Sequence, residues 1–190
     1  MKIILGSKSK SRRELISQLG YEAELMSADI DEKAIRSDDY SELPLLLARV
    51  KADALLPKVA KDVLLVTCDQ VVVWNGLLRE KPESVEQARE YLETKHLYPT
   101  EVHTAVVVTR ASDGSRFEGV DVAKIQSRPL PEYLIDRLIA EGNTMSAAGG
   151  FRIEDPVLEP YIEITQGTKD SIMGLPLELT DRLIKQAMSA

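Results

Sequence analysis

The stretch Val63-Leu64-Leu65-Val66-Thr67-Cys68 constrains the fold of this chain more than any other. It is a continuous apolar run that ends on polar residues, the pattern of a central strand buried on both faces. Such a strand is covered on both sides, and the order of elements along the chain reads as mixed α/β. Asp69-Gln70 falls at or near its C-terminal end, and Val71-Val72-Val73-Trp74 continues extended. Asn75-Gly76 is a strong hairpin signal, with a return through Leu77-Leu78-Arg79 before Glu80-Lys81-Pro82.

The start of the chain supplies a second strand and a candidate ligand seat. Lys2-Ile3-Ile4-Leu5 reads as a short buried strand, and Glu14 to Gly20 has helical apolar spacing with a glycine stop. Between them lies Gly6-Ser7-Lys8-Ser9-Lys10-Ser11-Arg12-Arg13. A helix N-terminus presents unpaired N–H groups and the positive end of its dipole, which favours anions. Ser7, Ser9 and Ser11 add hydroxyl donors, and Arg12 and Arg13 can grip phosphate oxygens bidentately. Serines before helices are also ordinary caps. Basic residues at a helix start, however, oppose the dipole unless an anion is present, so the expected ligand is a polyphosphate. The glycines of a Walker loop or a dinucleotide fingerprint are missing.

The remaining elements are mixed. Tyr21–Met26 reads as a strand, Ser41–Pro57 as a helix capped by Ser41, and Ser84 onward as a helix with Gln87 completing a capping box. Val102–Arg110 and Arg116–Gln126 form a long hairpin about Asp113-Gly114. Pro131–Gly142 is helical, Ala147–Phe151 a small-residue turn, Tyr161–Ile164 a strand, and Gly174-Leu175-Pro176 opens the last helix. Two hairpins argue against a regular doubly wound sheet. The expectation is one domain over residues 1–190, with two lobes around a cleft.

Charge narrows the partners. The chain carries 24 basic and 31 acidic residues, a net charge of −7. An acidic protein with its cations gathered at one end suits a small anionic ligand better than a nucleic-acid duplex. One cysteine, Cys68, excludes an intrachain disulfide and a cysteine metal cluster. No signal-peptide or membrane-length apolar run is present, so a soluble, cytoplasmic protein is expected.

Among residues able to do chemistry, Asp69 stands out as a carboxylate next to an apolar strand; it is a metal ligand or general base, or else a turn aspartate. Asp31-Glu32 offers a second carboxylate source. Two carboxylates beside a triphosphate would suit a hard divalent cation. Lys51, on the apolar part of its helix, and Lys81, before Pro82, can each offset phosphate or leaving-group charge. His96 and His103 read as structural, Cys68 as a small buried hydrophobe, and Trp74 as hairpin packing.

Ser7-x-Ser9-x-x-Arg12-Arg13-Glu14-Leu15 resembles the opening motif of the Maf family of nucleoside triphosphate pyrophosphatases. The resemblance continues in order through Asp31-Glu32, Ala48-x-x-Lys51-Ala52, Asp69-Gln70-Val71-Val72, Lys81-Pro82, Ala148-Gly149-x-Phe151 and Gly174-Leu175-Pro176. It implies a mixed α/β fold in which an elongated, strongly bent mixed sheet is flanked by helices, with two lobes around a deep cleft. It implies hydrolysis between the α and β phosphates of a nucleotide to a monophosphate and pyrophosphate, dependent on Mg²⁺, Mn²⁺ or Co²⁺, by a homodimer. By matched position, Ser9, Arg12 and Arg13 would hold phosphate, with Ser7 beside them. Glu32 and Asp69 would hold metal, and Asp69, Glu32, Lys51 and Lys81 would form the catalytic set.

The resemblance also bears on the base. Gln70 and Glu154 match the branch that resembles 7-methyl-GTP pyrophosphatases; the dTTP/UTP branch usually has Thr and Gln there. A carboxylate at position 154 suits guanine, whose edge presents two adjacent donors, better than uracil or thymine. Ser11 departs from both branches, which carry Trp or Arg at that place. Two other readings follow from the family: a dTTP/UTP pyrophosphatase, and a nucleotide-binding regulator of cell division with little catalysis.

Overall fold

The computed structural model describes residues 2–189. The main elements are β1 (Lys2–Leu5), α1 (Lys10–Gln18), β2 (Ala23–Leu25), α2 (Glu42–Leu55), β3 (Val63–Trp74), β4 (Leu77–Leu78), α3 (Val85–Thr94), β5 (Thr100–Arg110), β6 (Arg116–Ser127), α4 (Glu132–Ala140), β7 (Ile162–Gln166), α5 (Lys169–Ile172) and α6 (Leu177–Ser189). The strands form one seven-stranded mixed sheet in the order β2-β1-β3-β5-β6-β7, with β4 also on β3. β1 pairs in parallel with both β2 and β3, whereas β6 and β7 are antiparallel. The fold is therefore mixed α/β, as the element order predicts. Among the described residues no helix is long and apolar enough to cross a membrane.

The chain divides into two compact units. The first holds the described residues up to Gln70, Thr104–Asp121 and Asp170 onward; the second holds Val71–His103 and Val122–Lys169.

In the first unit the strand period of two sorts the side chains onto two helical layers. Ile3, Leu5, Leu64, Val66, Cys68, Val106 and Val108 pack with Leu15 and Ile16 of α1 and Leu179, Leu183 and Ile184 of α6. The alternate residues Ile4, Val63, Leu65, Ala105 and Val107 pack with Ala48, Ala52 and Leu55 of α2. This two-sided burial is why Val63–Cys68 is apolar without alternation.

Three local expectations change. Asp69 and Gln70 lie in the middle of β3, which runs on through the buried residues Val71–Trp74. The helix after the first loop starts at Lys10, with Ser9 as its cap, so Arg12 and Arg13 belong to its first turns. Ser41 holds the N-cap position of α2 but makes no side-chain cap bond; Asp39 Oδ1 accepts instead from the Ser41 and Glu42 N–H groups at 2.8 and 3.3 Å.

In the second unit Asn75 and Gly76 both take positive φ (50° and 72°), the primed turn that matches strand twist between β3 and β4. Ser84 caps α3 by accepting from the Gln87 N–H at 3.2 Å, while Gln87 reaches back to the Glu83 N–H at 2.7 Å. The Gly149 N–H donates to the carbonyls of Arg79 and Glu80, at 3.0 and 3.2 Å. That ties the small-residue turn to the loop carrying Lys81.

Candidate active site

The first loop is fixed by close packing and by its own hydroxyls. Gly6 is required by space: a Cβ there would lie 2.7 Å from Thr67 Cγ2 and 2.8 Å from Leu55 Cδ1. Its N–H donates to the Val66 carbonyl (2.7 Å), fixing the loop to the central strand. Ser7 Oγ accepts from the Ser9 N–H (3.1 Å), and Ser9 Oγ accepts from the Arg12 N–H (3.3 Å). The sequence thus folds the loop on itself through its own hydroxyls. The Arg12 guanidinium donates through Nη1 to the Cys68 carbonyl at 3.2 Å, which places it beside the Asp69 segment. Arg13 is exposed.

Lys51 is the centre of the charged cluster. Helix α2 carries it into the unit, where it is only 8 % exposed. Its Nζ lies 2.7 Å from Glu32 Oε1 and 3.0 Å from Asp69 Oδ2. Burial by itself would push Lys51 down. The charges of Asp69 and Glu32 and the hydrogen bonds to both outweigh it and hold the ammonium above its ordinary value. Asp69 is buried and its Oδ1 also accepts from the Gln70 N–H at 2.7 Å. Glu32 opens a short 3₁₀ turn that Asp31 caps through the Lys33 N–H (3.1 Å). The acidic pair therefore splits its work: Asp31 is structural, and Glu32 faces Lys51.

Among the described residues no group of three or more His, Cys, Asp or Glu is placed to hold a metal. Glu32 and Asp69 instead face a common point, now held by Lys51. Two carboxylates fit a hard cation of the kind that takes one or two protein oxygens and completes its shell with phosphate oxygens and water. They do not make a closed all-protein cage.

The structure thus brings Ser7, Ser9, Arg12, Glu32, Lys51, Asp69 and Gln70 into the first unit, with Arg13 on the same helix as Arg12. Lys81 and Glu154 belong to the second unit. There Lys81 is exposed on the turn after Arg79-Glu80, and Glu154 is half-buried in the turn closed by the Asp155 N–H on the Arg152 carbonyl (3.2 Å). Cys68 is buried and its thiol is pushed up by burial, which suits a packing role.

Sequence reasoning missed Arg79 and Lys95. Arg79 is buried, stacks 3.7 Å from the Trp74 ring centroid and 4.5 Å from that of Tyr91, and donates to the Tyr91 carbonyl (3.1 Å) and Thr94 Oγ1 (2.7 Å). It fastens the Lys81 loop to α3. A basic residue following a hairpin return next to Trp74 was the signal available. Lys95, just after α3, is buried with its Nζ 3.3 Å from the Phe151 ring centroid. Nothing in its sequence neighbourhood marks it.

The fold and site together define an α/β protein with a serine-bound cationic loop at a helix start and a buried lysine bridging two carboxylates. The chain matches the family described as Maf-like protein over residues 2–187, and it belongs to that family. It is 39% identical over 191 residues to a 7-methyl-GTP pyrophosphatase of Dictyostelium discoideum, covering 97% of this chain and 96% of the relative. It is 31% identical over 188 residues to a dTTP/UTP pyrophosphatase of Anaeromyxobacter dehalogenans, covering 98% and 94%. It is 30% identical over 186 residues to a 7-methyl-GTP pyrophosphatase of Xanthomonas campestris, covering 98% and 96%.

Proposed function

We propose that this protein is a nucleoside triphosphate pyrophosphatase that adds water to the α-phosphorus of a modified nucleotide and breaks the bond to the β-phosphate. The products are a nucleoside monophosphate and pyrophosphate, and 7-methyl-GTP is the preferred substrate. The observation that carries the reading is the Glu32–Lys51–Asp69 cluster in the same unit as the Arg12 loop. A protein that only bound a polyphosphate would have little use for two carboxylates near it.

The roles follow from chemistry. Ser9, Arg12, Arg13 and the start of α1 hold the phosphate chain through N–H groups and positive charge. Glu32 and Asp69 would hold Mg²⁺, Mn²⁺ or Co²⁺, which supplies positive charge against the phosphate oxygens. Asp69 orients the attacking water and takes its proton. Lys51 bridges both carboxylates and offsets charge as pyrophosphate departs; Lys81 is the other lysine of the catalytic set. Glu154 accepts from the two adjacent donors of a guanine edge. Descent shared with the 39% identical relative supports the 7-methyl-GTP assignment. The protein would act as a homodimer in a reducing, cytoplasmic setting.

Hydrolysis of 7-methyl-GTP, GTP, dTTP, UTP, CTP and ITP with each cation, scoring pyrophosphate against phosphate, tests the reading. The expected result is pyrophosphate from 7-methyl-GTP, none in the presence of a chelator, and a loss of about 10²–10⁴-fold in Asp69→Asn with nucleotide binding kept. Pyrophosphate from dTTP and UTP alone would move the chain to the other branch. Binding without release from any nucleotide would favour the regulator. Glu154→Gln should lower the preference for guanine bases; an unchanged profile removes Glu154 from base reading.

A further inference from the structure

The end of α5 and the turn that follows it are fastened by side chains from the sheet, and the turn lies against Arg12. Gln70 donates its side-chain N–H₂ to the carbonyls of Ile172 (2.8 Å) and Ser171 (3.1 Å) and to Thr104 Oγ1 (3.2 Å). Thr104 Oγ1 in turn donates to the same Ser171 carbonyl at 3.0 Å, and Ser171 Oγ donates to Asp121. The Leu175 N–H returns to the Asp170 carbonyl (3.1 Å), and the Leu177 N–H reaches Asp170 Oδ2 (2.6 Å). Three strands, β3, β5 and β6, thus each send one side chain to fix this turn.

What the turn presents is Gly174. Its φ is 99°, and a Cβ there would lie 2.8 Å from Arg12 Nε and 3.0 Å from Nη2. The bare backbone therefore lies against the guanidinium, whose Nη1 is held from another direction by the Cys68 carbonyl. An unsupported arginine side chain keeps many rotamers; one held by a carbonyl and a glycine backbone presents its remaining N–H groups in a set direction, which is what bidentate phosphate binding needs.

We infer that Gln70, Thr104 and the Ser171–Gly174 turn are a positioning device for the Arg12 guanidinium, and that Gln70 acts on substrate through the phosphate chain rather than through the base. This rests on the reading of Arg12 as a phosphate-binding residue. Gln70 is then a positioning residue. Its amide hydrogens are spent on main-chain carbonyls and a threonine, all within the first unit.

Inorganic tripolyphosphate, which has no base, separates the two roles. Its binding is measured by calorimetry with the wild-type chain, Arg12→Ala, Gln70→Ala, Thr104→Val and the doubles Arg12→Ala/Gln70→Ala and Arg12→Ala/Thr104→Val. Gln70→Ala and Thr104→Val should each weaken tripolyphosphate binding about ten-fold, a misplaced gripping group being costly. KM should rise by one common factor for all nucleotides, with no further loss when either change is added to Arg12→Ala. Should Gln70→Ala fail to fold, Thr104→Val and its double carry the same test. Unchanged tripolyphosphate binding with an altered ratio of KM values between 7-methyl-GTP and UTP overturns the inference and makes Gln70 a base reader. Losses that add in the Arg12→Ala background overturn it too. No tripolyphosphate binding by the wild-type chain removes the Arg12 reading itself, which is distinct from a device that fails on a working phosphate site.

Discussion

Among the described residues each unit buries one lysine, and the two are opposites. Lys51 in the first unit meets two carboxylates within 3.0 Å and is held above its ordinary value despite burial. Lys95 in the second has no hydrogen-bond partner among the described residues and lies against the Phe151 ring. Burial, helped by the Arg79 charge, pushes it down to about 7. Burial is common to both, so it does not decide the charge. Neighbouring carboxylates do. A buried cation that carboxylates keep charged is suited to work on phosphate, while one left among aromatic rings is a local instability. Buried charge by itself would therefore have been a poor guide to the site.

The contrast can be broken most sharply at Lys51. Lys51→Met leaves Asp69 buried without its ion partner, which costs about 3–5 kcal/mol of stability when a buried pair loses one member. Turnover should fall by about 10²-fold or more through the lost charge on the leaving group. Thermal melting and kcat, measured together, check both. Turnover within about two-fold of wild type would show that the cluster is a structural ion pair and would return Glu32 and Asp69 to that role.

Lys95 gives the opposite sign. The folded chain releases the Lys95 proton near 7, while the unfolded chain keeps it to about 10.4. Between those values the unfolded state binds the extra proton, so this group makes stability rise with pH. Below about 7 both states hold the proton and the penalty is full and constant. Lys95→Met should therefore melt higher than wild type below pH 7, by roughly 2–4 °C for each kcal/mol recovered. The two curves should converge as pH approaches 10.5. A difference that does not change with pH would mean that Lys95 keeps its proton on the Phe151 ring, and the comparison of the two lysines would fail.

What was legible in the sequence follows the same physics. Val63–Cys68 announced a doubly covered strand because burial on both faces removes polar alternation, and Asn75-Gly76 announced its turn through the φ values it permits. Asp69 was visible as a carboxylate among apolar neighbours, but its place in the middle of β3 was not, since a polar pair within an apolar run reads as an end. The meeting of Lys51 with Glu32 and Asp69 lies across residues far apart in the chain, which no local pattern reports. The match to family motifs named those residues without showing what joins them. Gln70 was legible only as a motif letter; its three acceptors, supplied by residues 104, 171 and 172, depend entirely on the tertiary fold. Lys95 had no local signature, because desolvation is set by what packs on a residue from elsewhere.

The smallest effects compare two serines in one local role. Ser9 caps α1 through the Arg12 N–H and Ser84 caps α3 through the Gln87 N–H, at 3.3 and 3.2 Å. Replacing either by alanine should cost about 1 kcal/mol, the usual value of such a cap. If the first unit alone carries the phosphate seat, the two should part in kinetics. Ser9→Ala should also raise KM for every nucleoside triphosphate, because it frees the Arg12 backbone and removes a hydroxyl from the loop, whereas Ser84→Ala should leave KM where it was. Equal KM values in the two variants, with equal losses of melting temperature, would reduce Ser9 to a helix cap. The anion seat would then rest on the arginines and the helix start alone.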